Sequence, residues 1–179
     1  QLADKFSSFG TDVFYEILNE PHDNLTSELW NIYLKDAIDV IRQIDTVHTV
    51  IIGTAEWGGI SAMNKLQLPQ EENNLIFTFH YYNPFEFTQQ GAEWVDGSDA
   101  WMGTTWAGSA SEISAIASEF NTIKQWAGER NVPVFLGEFG AYSMADMPSR
   151  VRWTIASSFS CVVQPILIRS GSGIPATVE

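Results

Sequence analysis

Asn74-Leu75-Ile76-Phe77-Thr78-Phe79-His80 is the stretch on which the architecture turns. It is an apolar run, rich in aromatic and β-branched residues, and it reads as a strand that ends on a histidine. Near-continuous hydrophobicity marks a strand covered on both faces, as in parallel sheets. Upstream, Thr49-Val50-Ile51-Ile52-Gly53 has the same character, and so has Val13-Phe14-Tyr15-Glu16-Ile17-Leu18. The latter stops at Asn19-Glu20-Pro21, where proline ends strand pairing. Between these two runs, Leu29, Tyr33, Ala37, Val40, Ile41 and Ile44 recur at helical spacing and predict a helix over residues 26–45.

Downstream lies a long loop, roughly residues 81–109, rich in aromatics, Gly, Asn and Gln. Loops of this length are functional or disordered, and the tryptophans here argue for function. Ser109-x-x-Glu112 then has capping-box form and opens a helix whose Ile113, Ile116, Phe120, Ile123 and Ala127 share a face. Pro133-Val134-Phe135-Leu136-Gly137 is the fourth strand and runs into Glu138.

Strand, helix, strand, loop, strand, helix, strand is the order of a parallel α/β protein. Polar residues gather at the strands' C-terminal ends: Asn19 and Glu20, then His80 with Tyr82, then Glu138. Parallel α/β folds place their sites at that edge. Three strands ending in polar clusters therefore point to one pocket.

Composition narrows what that pocket binds. Twenty-two acids against nine bases give the 179 residues a formal charge of −13. Such a surface repels phosphate backbones and anionic membranes, so neither nucleic acid nor membrane is an expected partner. A neutral polymer pays no such penalty. The lone Cys161 forms no internal disulfide, and no cysteine-rich metal spacing exists. No cofactor or metal is expected. A metal hydrolase built from Glu20, His22, His80 and Glu138 would lack a compact ligand motif such as His-Glu-x-x-His. The aromatic content of 13% suits both a core and a surface on which sugars stack.

Two glutamates at the mouths of different parallel strands can face each other across a cleft. At ~5–5.5 Å one attacks an anomeric carbon while the other protonates the leaving oxygen, giving retention; at ~6.5–9.5 Å a water fits between them, giving inversion. Sequence spacing leaves both outcomes open. Simpler readings also stand at this point: Asn-Glu-Pro as a solvated turn, and His80 as a satisfied histidine at the rim. Glu138 is harder to dismiss, since a carboxylate closing an apolar run costs energy unless it meets a polar cleft.

Three motifs in this order carry a resemblance. Ile17-Leu18-Asn19-Glu20-Pro21-His22, Phe79-His80-Tyr81-Tyr82-Asn83-Pro84-Phe85 and Leu136-Gly137-Glu138-Phe139-Gly140 resemble glycoside hydrolase family 5. Phe85-Glu86-Phe87-Thr88-Gln89-Gln90-Gly91-Ala92-Glu93-Trp94 is similar to its subgroup of thermophilic cellulase–mannanases. The resemblance runs from about residue 1 to Trp153. It implies a TIM barrel acting by retention on β-1,4-linked glucan, with mannan or another β-glycan as the alternative substrate. Glu20 would be the acid/base on the fourth barrel strand, and Glu138 the nucleophile on the seventh. Asn19 would bond the sugar 2-hydroxyl, His80 would line the cleft, and Tyr82 would hold the Glu138 carboxylate. Trp94 and Trp57 would be aromatic surfaces for sugar, and Gln89 a substrate contact where the subgroup usually carries histidine.

The resemblance also sets boundaries. Only eighteen residues precede Asn19, whereas a barrel takes ~250 residues. The expectation is therefore a partial barrel holding strands four to seven, with about three β/α units absent ahead of it. Residues 1–153 would be the catalytic part. Residues 154–179 read as a divergent tail, without helical period or the tryptophans of an eighth strand, as a shifted reading frame would produce. An open parallel sheet exposes edges and apolar faces, so the isolated chain is expected to be unstable or inactive. The N-terminus, Gln1-Leu2-Ala3-Asp4-Lys5, shows no secretion signal, although the resemblance is compatible with an extracellular enzyme. The rivals are a non-catalytic carbohydrate-binding module and an α/β scaffold of unrelated function. Oligomeric state is not legible.

Overall fold

The computed structural model describes residues 2–162. A short helix, α1 (Leu2–Phe6), precedes β1 (Tyr15–Glu16), α2 (Ser27–Arg42), β2 (Val50–Ile52) and β3 (Leu75–Tyr81). Then come α3 (Phe85–Thr88), α4 (Ala110–Glu129), β4 (Val134–Phe139) and α5 (Met147–Val162). The four strands form one parallel sheet in the order β1-β2-β3-β4. Sequential order in an all-parallel sheet is the arrangement of a (β/α) barrel wall, so the chain is a partial barrel. The parallel α/β order read from the sequence, and the partial barrel that the resemblance implies, both hold.

One face of the sheet carries the core. Phe77, Phe79 and Tyr81 on β3 meet Trp126 and Phe120 of α4 and Trp153 of α5 in close ring contacts. Such pairs contribute about 0.5–1.5 kcal/mol each beyond the burial of their area. The capping box is formed: the Ser109 hydroxyl accepts from the Glu112 N–H, and the Glu112 carboxylate accepts from the Ser109 N–H. The 81–109 connection is ordered by a buried polar side chain. Gln90 donates to the carbonyls of Phe87 and Thr104 and accepts from the Gly103 N–H.

Three expectations need correction. First, α2 forms where predicted but turns a different face inward. Trp30, Leu34 and Ile38 are buried, whereas Leu29, Tyr33, Val40 and Ile44 are exposed. The helix has two apolar stripes, and the Trp30 indole, donating to the Gly53 carbonyl at 2.8 Å, fixes which one meets the sheet. Second, β1 pairs over two residues only, and it and β4 are not covered on both sides. Phe14, Leu18 and Phe135 stay exposed because, among the described residues, no opposite wall faces them. Third, helix α5 passes residue 154 and reaches Val162. Its buried line is Ser149, Trp153 and Ser157, spaced by four, so the helical period is carried by small hydroxyl residues rather than large apolar ones. Residues 163–179 of the expected tail lie outside the described residues.

At the N-terminal edge of the sheet a buried carboxylate ties the α2–β2 turn to β1. Asp45 accepts from the Tyr15 phenol at 2.7 Å, the His48 ring at 2.6 Å, and the N–H groups of Val47 and His48. Burial works to raise its pKa, but these hydrogen bonds outweigh it and hold the carboxyl well below the ordinary value of 3.8. Tyr15 is pushed up to about 12 by burial and by Asp45. A carboxyl whose folded pKa is depressed contributes stability above its unfolded pKa and loses it as pH falls toward the folded value. The melting temperature should therefore begin to drop below about pH 5 and keep dropping well below about pH 3. Asp45→Asn should lower it at neutral pH and flatten that acid slope, as read by circular dichroism melts.

Candidate active site

The pocket side of the sheet is set by strand alternation. Phe77, Phe79 and Tyr81 point to the helices, so Thr78 and His80 point the other way. On β4, Val134 and Leu136 pair with Phe77 and Phe79 and pack against the same core. Strict alternation would send Glu138 after them into that layer. Instead the register slips by one residue: Phe79 pairs with Leu136, but His80 pairs with Glu138. Gly137 is the extra residue of a β-bulge, and the bulge turns Glu138 to the pocket beside His80.

Gly137 is required there for space. A Cβ on it would lie 2.5 Å from the Thr78 hydroxyl and 3.4 Å from the His80 ring. Gly137→Ala should destabilise the chain by about 1–3 kcal/mol and lower its melting temperature by roughly 3–10 °C. Adding Thr78→Ala should recover part of that loss, as seen by thermal melts of the single and double variants.

His80 sits between two carboxylates. Its Nδ1 is 2.6 Å from Glu20 Oε1 and its Nε2 is 3.6 Å from Glu138 Oε1. The imidazole is buried, while Glu20 and Glu138 keep 27% and 40% of their side chains exposed, enough for a substrate to reach them. One ligand-type atom from each of the three lies within 4.8 Å of the others. The Tyr82 phenol donates to Glu138 Oε2 at 2.9 Å. Burial pushes the Tyr82 pKa up, and the Glu138 carboxylate pushes it further, so the phenol stays a donor.

The backbone around the cluster is strained. Glu20 has φ 46°, and Glu56, Trp57 and Gly58 are three successive left-handed residues with φ 60°, 58° and 67°. Non-glycine residues in this region cost about 1–3 kcal/mol each and concentrate at functional sites. This turn is anchored on both sides: the Trp57 N–H donates to the Pro21 carbonyl, and the His80 N–H donates to the Gly58 carbonyl. It thereby ties the ends of β1, β2 and β3 together.

The remaining predicted residues spread along this edge. Trp57 is half exposed and stacks on His22 with ring centroids 5.1 Å apart and planes 9° from parallel. The two rings line a pocket of about 310 Å³ with Asp23, Glu28, Glu56 and Lys65. Trp94 is exposed and braced edge-on by Tyr142 at 4.8 Å. Gln89 is buried, and its side-chain oxygen has no hydrogen-bond partner among the described residues. Asn19 is exposed beside Glu20, and its side chain joins no hydrogen bond among the described residues. The supports His22 and Tyr142 were not read from the sequence as parts of an aromatic surface. Nothing in local spacing marks them, since each meets its tryptophan across a loop.

This arrangement suits proton transfer better than metal ligation. The 2.6 Å contact between His80 and Glu20 is a hydrogen bond, so both atoms are already committed to one proton. Two carboxylates, one held by an imidazole and the other by a phenol, can divide the roles of proton donor and charged nucleophile.

The sequence model described as cellulase, glycosyl hydrolase family 5, matches residues 1–163. Solved structures of Cel5A from Thermotoga maritima, with mannotriose and with cellobiose, superpose at TM-score 0.89 with 51% identity over 90% of this chain. Endoglucanase H of Acetivibrio thermocellus is 33% identical over 86% of it. The chain spans 52% of the Thermotoga chains and 16% of endoglucanase H. A domain-length sequence match and a close superposition agree with the parallel sheet and its polar edge: the chain belongs to glycosyl hydrolase family 5.

Proposed function

We propose that this chain carries the catalytic carboxylates of a retaining endo-β-1,4-glucanase. The observation that carries the reading is the approach of Glu20 and Glu138 oxygens to within 4.8 Å around His80. Oxygens this close favour retention, with ~5–5.5 Å between carboxyl groups, over the ~6.5–9.5 Å of inversion. In the first step a Glu138 oxygen attacks C1 while Glu20 gives its proton to the departing glycosidic oxygen. A glycosyl ester forms on Glu138. In the second step Glu20, now ionised, takes a proton from water as the water oxygen attacks C1 and releases Glu138.

His80 orients Glu20 through its Nδ1 contact, and Tyr82 fixes the Glu138 carboxylate for attack. Asn19, beside the acid/base, is placed to meet a sugar hydroxyl. Trp94 and Trp57 offer exposed rings on which pyranose faces stack. The pocket beside His22 and Trp57 extends the cleft on the Glu20 side, where the leaving portion of a polymer would lie.

The substrate class is a β-linked polysaccharide. Glucan is the first choice because the similar proteins are endoglucanases, and mannan the second because a similar structure holds mannotriose. The test is hydrolysis of a soluble cellulose derivative and of mannan by the full-length protein, with the newly formed anomer followed by proton NMR. Glucan turnover with the β-anomer appearing first is the expected result. An α-anomer appearing first would overturn retention. Oligosaccharide affinity with no turnover at all would favour a carbohydrate-binding module instead.

A further inference from the structure

β3 ends at Tyr81, and the side chains of Tyr81, Tyr82 and Asn83 reach alternate sides of the sheet edge. Tyr82 reaches Glu138 on the pocket side. Tyr81 and Asn83 reach the helix layer, and both end on one residue, Glu119 of α4. The Tyr81 phenol donates to Glu119 Oε2 at 2.5 Å, and the Asn83 amide donates to Glu119 Oε1 at 2.9 Å. Each carboxylate oxygen thus holds one neighbour of Tyr82. Burial, then the Glu119 carboxylate, pushes the Tyr81 pKa up, so that phenol remains a donor.

Other groups complete the grip. The Trp153 indole of α5 donates to the Asn83 carbonyl at 2.9 Å, and the Thr88 hydroxyl donates to the Tyr82 carbonyl. Phe120, next to Glu119, packs edge-on against Tyr81 at 4.9 Å. Glu119 itself makes no hydrogen bond to Glu20, His80, Tyr82 or Glu138 among the described residues. Among the described residues its hydrogen bonds lead to the site through Tyr81 and Asn83.

We propose that Glu119 is a positioning residue for Glu138, acting through Tyr82 by clamping the residues on either side of it. The proposal rests on the reading of Glu138 as nucleophile. Where successive side chains alternate as these do, holding residues i−1 and i+1 from one side constrains the direction of residue i on the other. A side chain displaced by about 1 Å at a reacting centre can cost on the order of a hundredfold in rate.

The test is a mutant cycle. Glu119→Ala removes both acceptors, so neither Tyr81 nor Asn83 is held from the helix layer. It should lower kcat by about tenfold to a hundredfold while KM stays within about twofold. In a Tyr82→Phe background the same substitution should cost almost nothing more, because the route is already cut. Glu119→Gln should keep much of the activity, since its amide oxygen still accepts from Asn83 and its N–H can donate to the Tyr81 phenol oxygen. Asn83→Ala, which removes one arm and leaves the Tyr81 bond, should show the same dependence on Tyr82. It serves if Glu119→Ala folds poorly.

A second readout needs no turnover. In protein labelled with 13C-tyrosine, the Tyr82 Cζ resonance reports whether the phenol donates. Glu119→Ala should move it most of the way to its position in Glu138→Ala, and Glu119→Gln should move it far less. An unmoved resonance, or rate losses that simply add in the cycle, would overturn the clamp. If Glu138→Ala left hydrolysis intact, the functional reading would fall, and the resonance would still decide whether Glu119 sets Tyr82.

Discussion

Glu138→Ala should abolish polysaccharide hydrolysis, with kcat falling on the order of 10⁴-fold or more, about 5.5 kcal/mol of barrier. The argument is positional. Glu138 is turned to the pocket by the bulge at Gly137, oriented by the Tyr82 phenol at 2.9 Å, and left partly open to solvent. Nothing else among the described residues offers an oxygen in that place. Azide supplied to the Glu138→Ala protein should fill the vacated space and attack C1 from the same face. The C1–N bond forms, the C1–O bond breaks, and Glu20 protonates the leaving oxygen. The product should be an α-glycosyl azide, identified by NMR and mass spectrometry. A β-glycosyl azide would reverse the roles assigned to the two glutamates.

Glu20→Ala should show a different pattern. Loss of a general acid lowers kcat by about 10²–10⁴-fold on substrates whose leaving oxygen needs a proton. Dinitrophenyl glycosides leave without that help, so their first step should proceed at nearly the normal rate. The second step then lacks its base, the glycosyl ester on Glu138 accumulates, and a burst of dinitrophenol should precede slow turnover. Azide needs no base and should restore turnover, giving a β-glycosyl azide. Equal losses on both substrate types would remove Glu20 from the acid/base role.

What the sequence made legible follows from where information is local. A strand that ends in a carboxylate can be read from a few neighbouring residues, and so Glu20, His80, Tyr82 and Glu138 were found and do converge. The capping box at Ser109 is local as well. The inward face of α2 is not, because both of its stripes are apolar. Only the sheet beneath, and the Gly53 carbonyl that takes the Trp30 proton, decides between them. The continuation of α5 was missed because Ser149 and Ser157 carry no apolar signal, although both are buried as fully as Trp153. Glu119 was invisible for a related reason. It looks like any charge on a helix until Tyr81 and Asn83 are placed against it.

The bulge in β4 has an evolutionary corollary. Core and pocket share this strand, and a single surplus residue separates their parities. Composition can therefore drift at Val134, Phe135 or Leu136 with only local effect. A one-codon insertion or deletion in the same stretch would instead swap inside for outside, burying Glu138 among aromatic rings and presenting an apolar side chain to the pocket. Lineages that keep the reaction should vary this segment in letters and almost never in number.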